Sequence, residues 1–170
     1  MKHLLRILLL VFVTQACHEE PELSSVNPVN WDKRTVTKTL GDSLLHGTSY
    51  LSVYSEIYSQ TEHRTHNLTA TVSMRNTNRH DTIFINNAEY FNTHGHSIRT
   101  YLKSPIFIAP METVEIVIDE QDQEGGTGAN FIFDWSIKHT SNAPIFEGIM
   151  ISTSGSQGLS FTTQGIRLSN

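Results

Sequence analysis

The sequence predicts an all-β protein, an immunoglobulin-like antiparallel β-sandwich, on three observations. Apolar side chains recur at every second position in run after run beyond residue 45, the period of a strand with one buried face. Clusters of Gly, Asn, Ser and Pro separate these runs at short intervals. No helical period of convincing length follows the first sixteen residues. A closed barrel is the alternative arrangement of such strands. The densest stretch is Gly125-Gly126-Thr127-Gly128-Ala129-Asn130-Phe131-Ile132-Phe133-Asp134-Trp135. Phe131, Phe133, Trp135 and Ile137 share one face, and each aromatic ring can bury ~150–250 Å². The glycines supply positive φ or close approach. This reads as a central strand entered through a glycine turn, with Asn130 placed to hydrogen-bond the turn backbone.

Residues 1–16 form a targeting signal. Lys2 and Arg6 precede the apolar run Ile7-Leu8-Leu9-Leu10-Val11-Phe12-Val13, which is too short to span a bilayer. Thr14-Gln15-Ala16-Cys17 follows and resembles a bacterial lipoprotein signal, in which the cysteine becomes the acylated first residue. Ala16 fits that pattern, whereas Thr14 and Gln15 depart from it. Cys17 is the sole cysteine. Lipid attachment there implies an anchor to the membrane, at ~0.8 kcal/mol per buried CH₂. The lipoprotein resemblance also implies outer-membrane sorting, because His18 rather than Asp follows Cys17. The acidic residues Glu19, Glu20 and Glu22 are similar to the surface-export signals of some bacterial groups. Residues 17–44 read as a flexible tether, rich in charge and Pro and without a sustained period. Trp31 is expected to dock on the domain that follows, residues 45–170.

Within that domain, Leu51, Val53 and Ile57 alternate with Ser52, Tyr54 and Glu56 as a first strand. Leu68, Ala70, Val72 and Met74 alternate with Thr69, Thr71, Ser73 and Arg75, and Asn76-Thr77-Asn78 ends the run. Ile83 to Phe91 is next, broken at Asn87 by an expected bulge. Asn92 to His96 forms a hairpin loop, and Ile98 to Leu102 returns. Pro105 and Pro110 bracket Ile106-Phe107-Ile108, an edge piece. Val114, Ile116 and Ile118 alternate before the acidic loop 119–124 and the aromatic strand. Ile145 to Ile151 is one more strand, followed by a turn at Ser154-Gly155-Ser156. Leu159 and Phe161 open a last hairpin that closes on Ile166 and Leu168 across Gln164-Gly165.

Composition excludes several functions. The formal charge is -5, and 17% of residues are charged. Removing Lys2 and Arg6 from the 12 basic residues leaves 10 against 17 acidic ones. Nucleic-acid binders need clustered basic charge, so no nucleic-acid partner is expected. The same balance disfavours a domain face lying on anionic lipid. Without cysteine in the body of the chain, disulfides and thiolate metal sites are excluded there.

Several motifs in order carry a resemblance. They are Leu51-Ser52-Val53-Tyr54-Ser55-Glu56-Ile57-Tyr58, then Asn67 through Thr77, Ala109-Pro110-Met111-Glu112-Thr113, Asp122 through Phe131, and Gln157 through Gly165. Together they resemble the bacterial domain-of-unknown-function family numbered 3124, over residues 45 to 168. Ser52 departs from the proline usual in that family. The resemblance implies a small exported β-domain, often on a lipoprotein, without an assigned activity.

Candidate chemistry is sparse. Asp119, Asp122 and Glu124 are weak candidates for Ca²⁺, whose sites need six to eight oxygens, but the spacing is not that of an EF-hand. His94 and His96, with His63, His66 and His80 in nearby loops, could approach a transition metal, yet exposed hairpin-tip histidines account for the pattern better. Gly125-Gly126-Thr127-Gly128 precedes a strand rather than a helix, so it is not a phosphate loop. No Ser–His–Asp set can be singled out. Glu147 and Asp134 are expected to pair with Arg75 or Arg99. Arg75 and Asn76 are candidate ligand contacts, with a structural strand-end role favoured. The reading is a lipid-anchored, non-catalytic binding or assembly module of the cell envelope. Its partners are the membrane, through the N-terminal lipid, and an envelope protein or polymer; no cofactor is implied. The alternative is an ion-binding sensor or hydrolase using the Asp119–Glu124 loop.

Overall fold

The computed structural model describes residues 31–37, 41, 43–153 and 158–169. The signal, Cys17, most of the stretch read as a tether and the turn at 154–156 lie outside the described residues. Twelve strands follow one helical turn, Trp31–Arg34, in the described chain. They are β1 (Leu45–Val53), β2 (Glu56–Ser59), β3 (Thr61–Asn67), β4 (Thr69–Arg75), β5 (Ile83–Phe91) and β6 (Ser97–Thr100). Then come β7 (Ile106–Ile108), β8 (Thr113–Ile118), β9 (Ala129–Ile137), β10 (Ile145–Ser152), β11 (Leu159–Gln164) and β12 (Ile166–Leu168). One sheet runs β12-β1-β9-β5-β6, with β7 also on β5; the second runs β11-β10-β4-β8; β2 and β3 form a separate ribbon. Every pairing among these strands is antiparallel. The result is an all-β sandwich of open sheets, as expected, and not a closed barrel.

The aromatic strand is central, flanked by β1 and β5. Phe131, Phe133, Trp135 and Ile137 all point into the core and are fully buried or nearly so. The two sheets meet where Phe133 of β9 stacks on Phe146 of β10, with ring centroids 4.2 Å apart. Phe131 continues the stack on one side and Tyr90 beyond it, at 5.3 and 4.7 Å. Offset stacking of this kind adds about 0.5–1.5 kcal/mol per pair to the burial of the rings. From the second sheet, Ala70, Val72, Met74, Ile116 and Ile118 complete the shared layer, with Leu68 just ahead of β4.

The register matches the pattern in most places. β4 buries Ala70, Val72 and Met74, and β8 alternates strictly between exposed and buried positions. The bulge expected at Asn87 is present as a register shift between Ile85 and Asn87. Ile106–Ile108 pairs with β5 alone among the strands, as an edge piece bounded by prolines should.

Three expectations are corrected. The first strand does not run from Leu51 to Ile57: β1 begins at Leu45 and ends at Val53, and Tyr54-Ser55 turns the chain into β2. Ser55 makes that turn by donating its amide to Gly126 and accepting the amide of Leu68. Residues 61–67 are a strand rather than a loop, so His63 and His66 lie on β3. Its sequence lacks apolar alternation because it pairs only with β2 and buries little. The pair Leu159–Gln164 and Ile166–Leu168 is not a hairpin. β11 adds to β10 and β12 adds to β1, so the chain changes sheets at Gly165. Gly165 donates its amide to Phe146 O at 2.8 Å, and a β-carbon there would fall 2.9 Å from Phe146 Cβ.

Residues 31–37 lie against the body. Trp31 packs on the core cluster, Val36 donates its amide to Pro105 O at 2.8 Å, and Thr35 bridges Ile106. Arg34 donates to Glu112 Oε1 at 2.6 Å. The guanidinium holds the Glu112 carboxyl below its usual range, and the Ala109 amide, donating to Oε2, adds to the effect. The edge strand β7 is thereby covered by this docked segment, which blunts an otherwise open row of backbone groups.

Candidate functional site

The acidic loop and the glycine turn form one braced structure. Arg99 on β6 reaches across and donates to Asp122 Oδ2 at 2.8 Å and Glu124 Oε2 at 2.7 Å. It also donates to the Tyr101 hydroxyl at 3.0 Å. Asp122 is 2% exposed, so its carboxylate is tied to a half-buried cation rather than presented to solvent. Hydrogen bonds to that carboxylate and to Tyr101 hold the guanidinium in its charged form, well above its ordinary pKa, against the desolvation that opposes it. Asp119 instead accepts the amide of Gln121 at 2.8 Å, closing the turn of its own loop. The three carboxylates are therefore divided between an arginine and a backbone turn. Among the described residues no group of three or more His, Cys, Asp and Glu is arranged to hold a metal.

The glycines that follow serve the brace in different ways. Gly126 has φ 73°, a left-handed conformation that other residues resist. Gly125 has an ordinary φ but accepts two bonds at its carbonyl, from the amide and the hydroxyl of Thr93, each at 3.0 Å. Gly128 donates its amide to Thr93 Oγ1 at 2.9 Å and has room for a side chain. Ala129 and Phe131 are buried at the head of β9, and Asn130 lies between them on the opposite face, across from Ser52 and Phe91. Below the turn, Tyr90 and Ser55 share a buried hydroxyl–hydroxyl bond of 2.8 Å. Burial pushes the Tyr90 phenol far above its ordinary pKa.

Arg75 and Asn76 lie at the end of β4. Arg75 forms an ion pair with Glu147 and donates to Thr113 Oγ1 at 3.3 Å. Glu147 with Arg75 is one of the pairings that the sequence left open. Asp134 instead accepts from Thr48 Oγ1 at 2.8 Å. Asn76 is 2% exposed and its amide nitrogen donates to the carbonyls of Asp81, Ile108 and Ala109, at 2.8–3.0 Å. Its oxygen accepts from the backbone and side chain of Asn78, each at 2.9 Å. All its hydrogen-bonding capacity is thus spent on the loops joining β4, β5, β7 and β8.

His94 and His96 form the tip of the β5–β6 hairpin, with their amides donated to Asn92 Oδ1 and rings 6.4 Å apart. The structure also produces one Ser–His contact. Ser136 Oγ lies 2.9 Å from His46 Nδ1 and accepts from Asn86 Nδ2. Ser136 is fully buried, so its hydroxyl is an internal link and not an accessible nucleophile. The two residues are ninety positions apart, and no motif in the sequence joins them.

A surface feature was missed at the sequence level. On β10, Phe146, Gly148, Met150 and Ser152 face the core, so Ile145, Ile149 and Ile151 face out. In register, Ile149 lies beside Thr71 of β4, which lies beside Val117 of β8. Ile151 lies beside Thr69 in the next outward row. These four large β-branched side chains are 37–45% exposed. Glu147, paired with Arg75, faces the same way between Ile145 and Ile149, and Thr71 separates Ile149 from Val117, so Ile149 and Ile151 are the two successive outward apolar positions of this face.

A family model described as "Protein of unknown function (DUF3124)" matches residues 46–168. No curated protein matches the chain. Among solved structures, one from Thermotoga maritima, described as "Crystal Structure of Thermotoga maritima 1070", is similar to it at 8% identity. The match covers 71% of this chain and 92% of that one, with a TM-score of 0.45.

Proposed function

The chain belongs to the DUF3124 family of proteins of unknown function, and we propose that it is a lipid-anchored, non-catalytic binding or assembly module of the bacterial cell envelope. The observation that carries the binding role is the exposure of Ile149 and Ile151 at successive outward positions of β10, with Ile145 beyond Glu147 and Val117 across Thr71 on the same face. Burying these side chains against a partner returns about 25 cal/mol per Å² of apolar surface removed from water. The partner is an envelope protein with a complementary apolar surface. The anchoring role is carried by the short apolar run ending at Cys17. Acylation of that cysteine, followed by His18, fits an outer-membrane lipoprotein.

The competing reading, an ion sensor or hydrolase built on residues 119–124, has less support. Two of its carboxylates are bound by Arg99, and the third closes a backbone turn. Fractionation of cells carrying Cys17→Ala tests the anchor. The wild-type protein is expected in the membrane fraction and the variant in the soluble one; equal membrane retention of both would refute lipid attachment.

A further inference from the structure

The segment 31–37 is joined to the body at few points. We propose that it is a detachable strap, closed over the edge strand β7 and able to lift away as one unit, which bares that edge and lets out the chain from residue 31 to residue 44. This inference is independent of the apolar side chains on β10.

The attachment is slight. Two main-chain links hold the segment: the Val36 amide donates to Pro105 O at 2.8 Å, and Thr35 forms an isolated bridge with Ile106. None of its residues is fully buried. The Arg34–Glu112 pair leaves its side chains 26% and 29% exposed, a setting in which ion pairs contribute little. Trp31 packs on the core cluster, yet its indole N–H is shut away from solvent with no acceptor among the described residues. A donor buried in that state opposes docking. Trp135 is the contrast: its indole N–H donates to Ser49 Oγ at 3.0 Å, and its side chain is fully buried.

Internal bonds make the strap one piece. Thr35 donates its amide to Asp32 O at 3.3 Å and its hydroxyl to Trp31 O at 3.1 Å, tying the helical turn together. The body has its own supports. β7 is registered on β5 through Ile83–Ile108, Phe84–Phe107 and Ile85–Ile106. The socket for Arg34 is set by a local turn, in which Glu112 Oε2 accepts the Ala109 amide at 2.8 Å and Glu112 donates its amide to Ala109 O at 3.1 Å. Few links, an unmet donor and a preformed socket favour a local opening far easier than global unfolding. Opening leaves the outer edge of β7 unpaired. Where the chain is anchored through Cys17, as proposed above, it also adds up to about 45–50 Å of reach, at ~3.3–3.6 Å per residue. That reach rests on the anchor; the opening does not.

Hydrogen exchange of the isolated protein, followed by NMR at the Val36 amide and the Trp31 indole, is the test. Protection at Val36 is expected to be at least about a hundredfold below that of the β9 amides. The opening constant read from the Trp31 indole should agree with that from Val36 within about threefold. Arg34→Gln and Glu112→Gln should each raise both constants together, by about threefold, and leave β9 unchanged. Cys17→Ala should leave the opening as it is, which separates this test from that of the anchor. Protection at Val36 matching that of β9, probes that respond to the variants separately, or variants that move neither probe would overturn the proposal.

Discussion

Gly125 lies so close to Tyr90 that a β-carbon at position 125 would fall 1.9 Å from the phenolic oxygen and 2.6 Å from Ser55 Oγ. This contact, rather than backbone freedom, is what demands glycine there, because its φ of -68° is open to any residue. Gly125→Ala is expected to destabilise the fold by about 1–3 kcal/mol or more through overpacking. Gly128→Ala, whose nearest neighbour would be 3.5 Å away, should cost under about 0.5 kcal/mol. Urea denaturation of both variants checks the contrast. Adding Tyr90→Phe to Gly125→Ala should recover part of the loss by removing the nearest atom.

The Arg99 brace yields a second prediction. Arg99→Met leaves buried Asp122 without its cation, a change that typically costs about 3–5 kcal/mol. Glu124→Gln removes only the exposed arm of the same brace and should cost under about 1 kcal/mol. Denaturation midpoints compared at one pH decide between them.

Asn76 is predicted to matter for stability rather than for ligand contact. Asn76→Ala strands three carbonyl acceptors and two donors of Asn78, so a loss of about 2 kcal/mol or more is expected. Thermal melting of the variant measures it. Arg75→Gln, which breaks a partly exposed ion pair, should cost no more than about 1 kcal/mol.

Stability should fall at both ends of the pH scale for identifiable reasons. Glu112 has a lowered folded pKa, owing first to Arg34, so its contribution is present above the ordinary carboxylate value. That contribution is lost as pH falls through the folded one. The protection of the Val36 amide against hydrogen exchange, measured relative to its intrinsic rate at each pH, should fall in that acid window, and Glu112→Gln should remove this pH dependence. Tyr90 behaves oppositely. Burial raises its folded pKa, so stability declines as pH climbs past the phenol's ordinary value near 10. Tyr90→Phe should flatten that alkaline limb.

The residues that announced themselves were those whose side chains alternate between oil and water. β4, β8 and β9 each bury every second position over at least six residues, so their period is plain. The bulge near Asn87 and the proline-bounded β7 were equally legible from local chemistry. β3 was not, because Thr61 to Asn67 contains no apolar residue and pairs only with β2. The change of sheet at Gly165 was hidden for another reason. Two short strands around a glycine look the same whether they pair with each other or with different sheets. Apart from Arg75 with Glu147, long-range partnerships stayed out of reach: Arg99 with Asp122 and Glu124, His46 with Ser136, Arg167 with Trp135. Each joins residues that no sequence spacing connects.

The central claim, that the outward row of β10 engages an envelope protein, is tested most directly by photo-crosslinking in intact cells. A photoreactive residue is placed at Ile149 or Ile151, and at Glu89 on the outward face of the other sheet as control. A discrete crosslinked species from positions 149 and 151, missing from 89 and diminished by Cys17→Ala, is the predicted result. Equal crosslinking from all three positions, or none from 149 and 151, would contradict it.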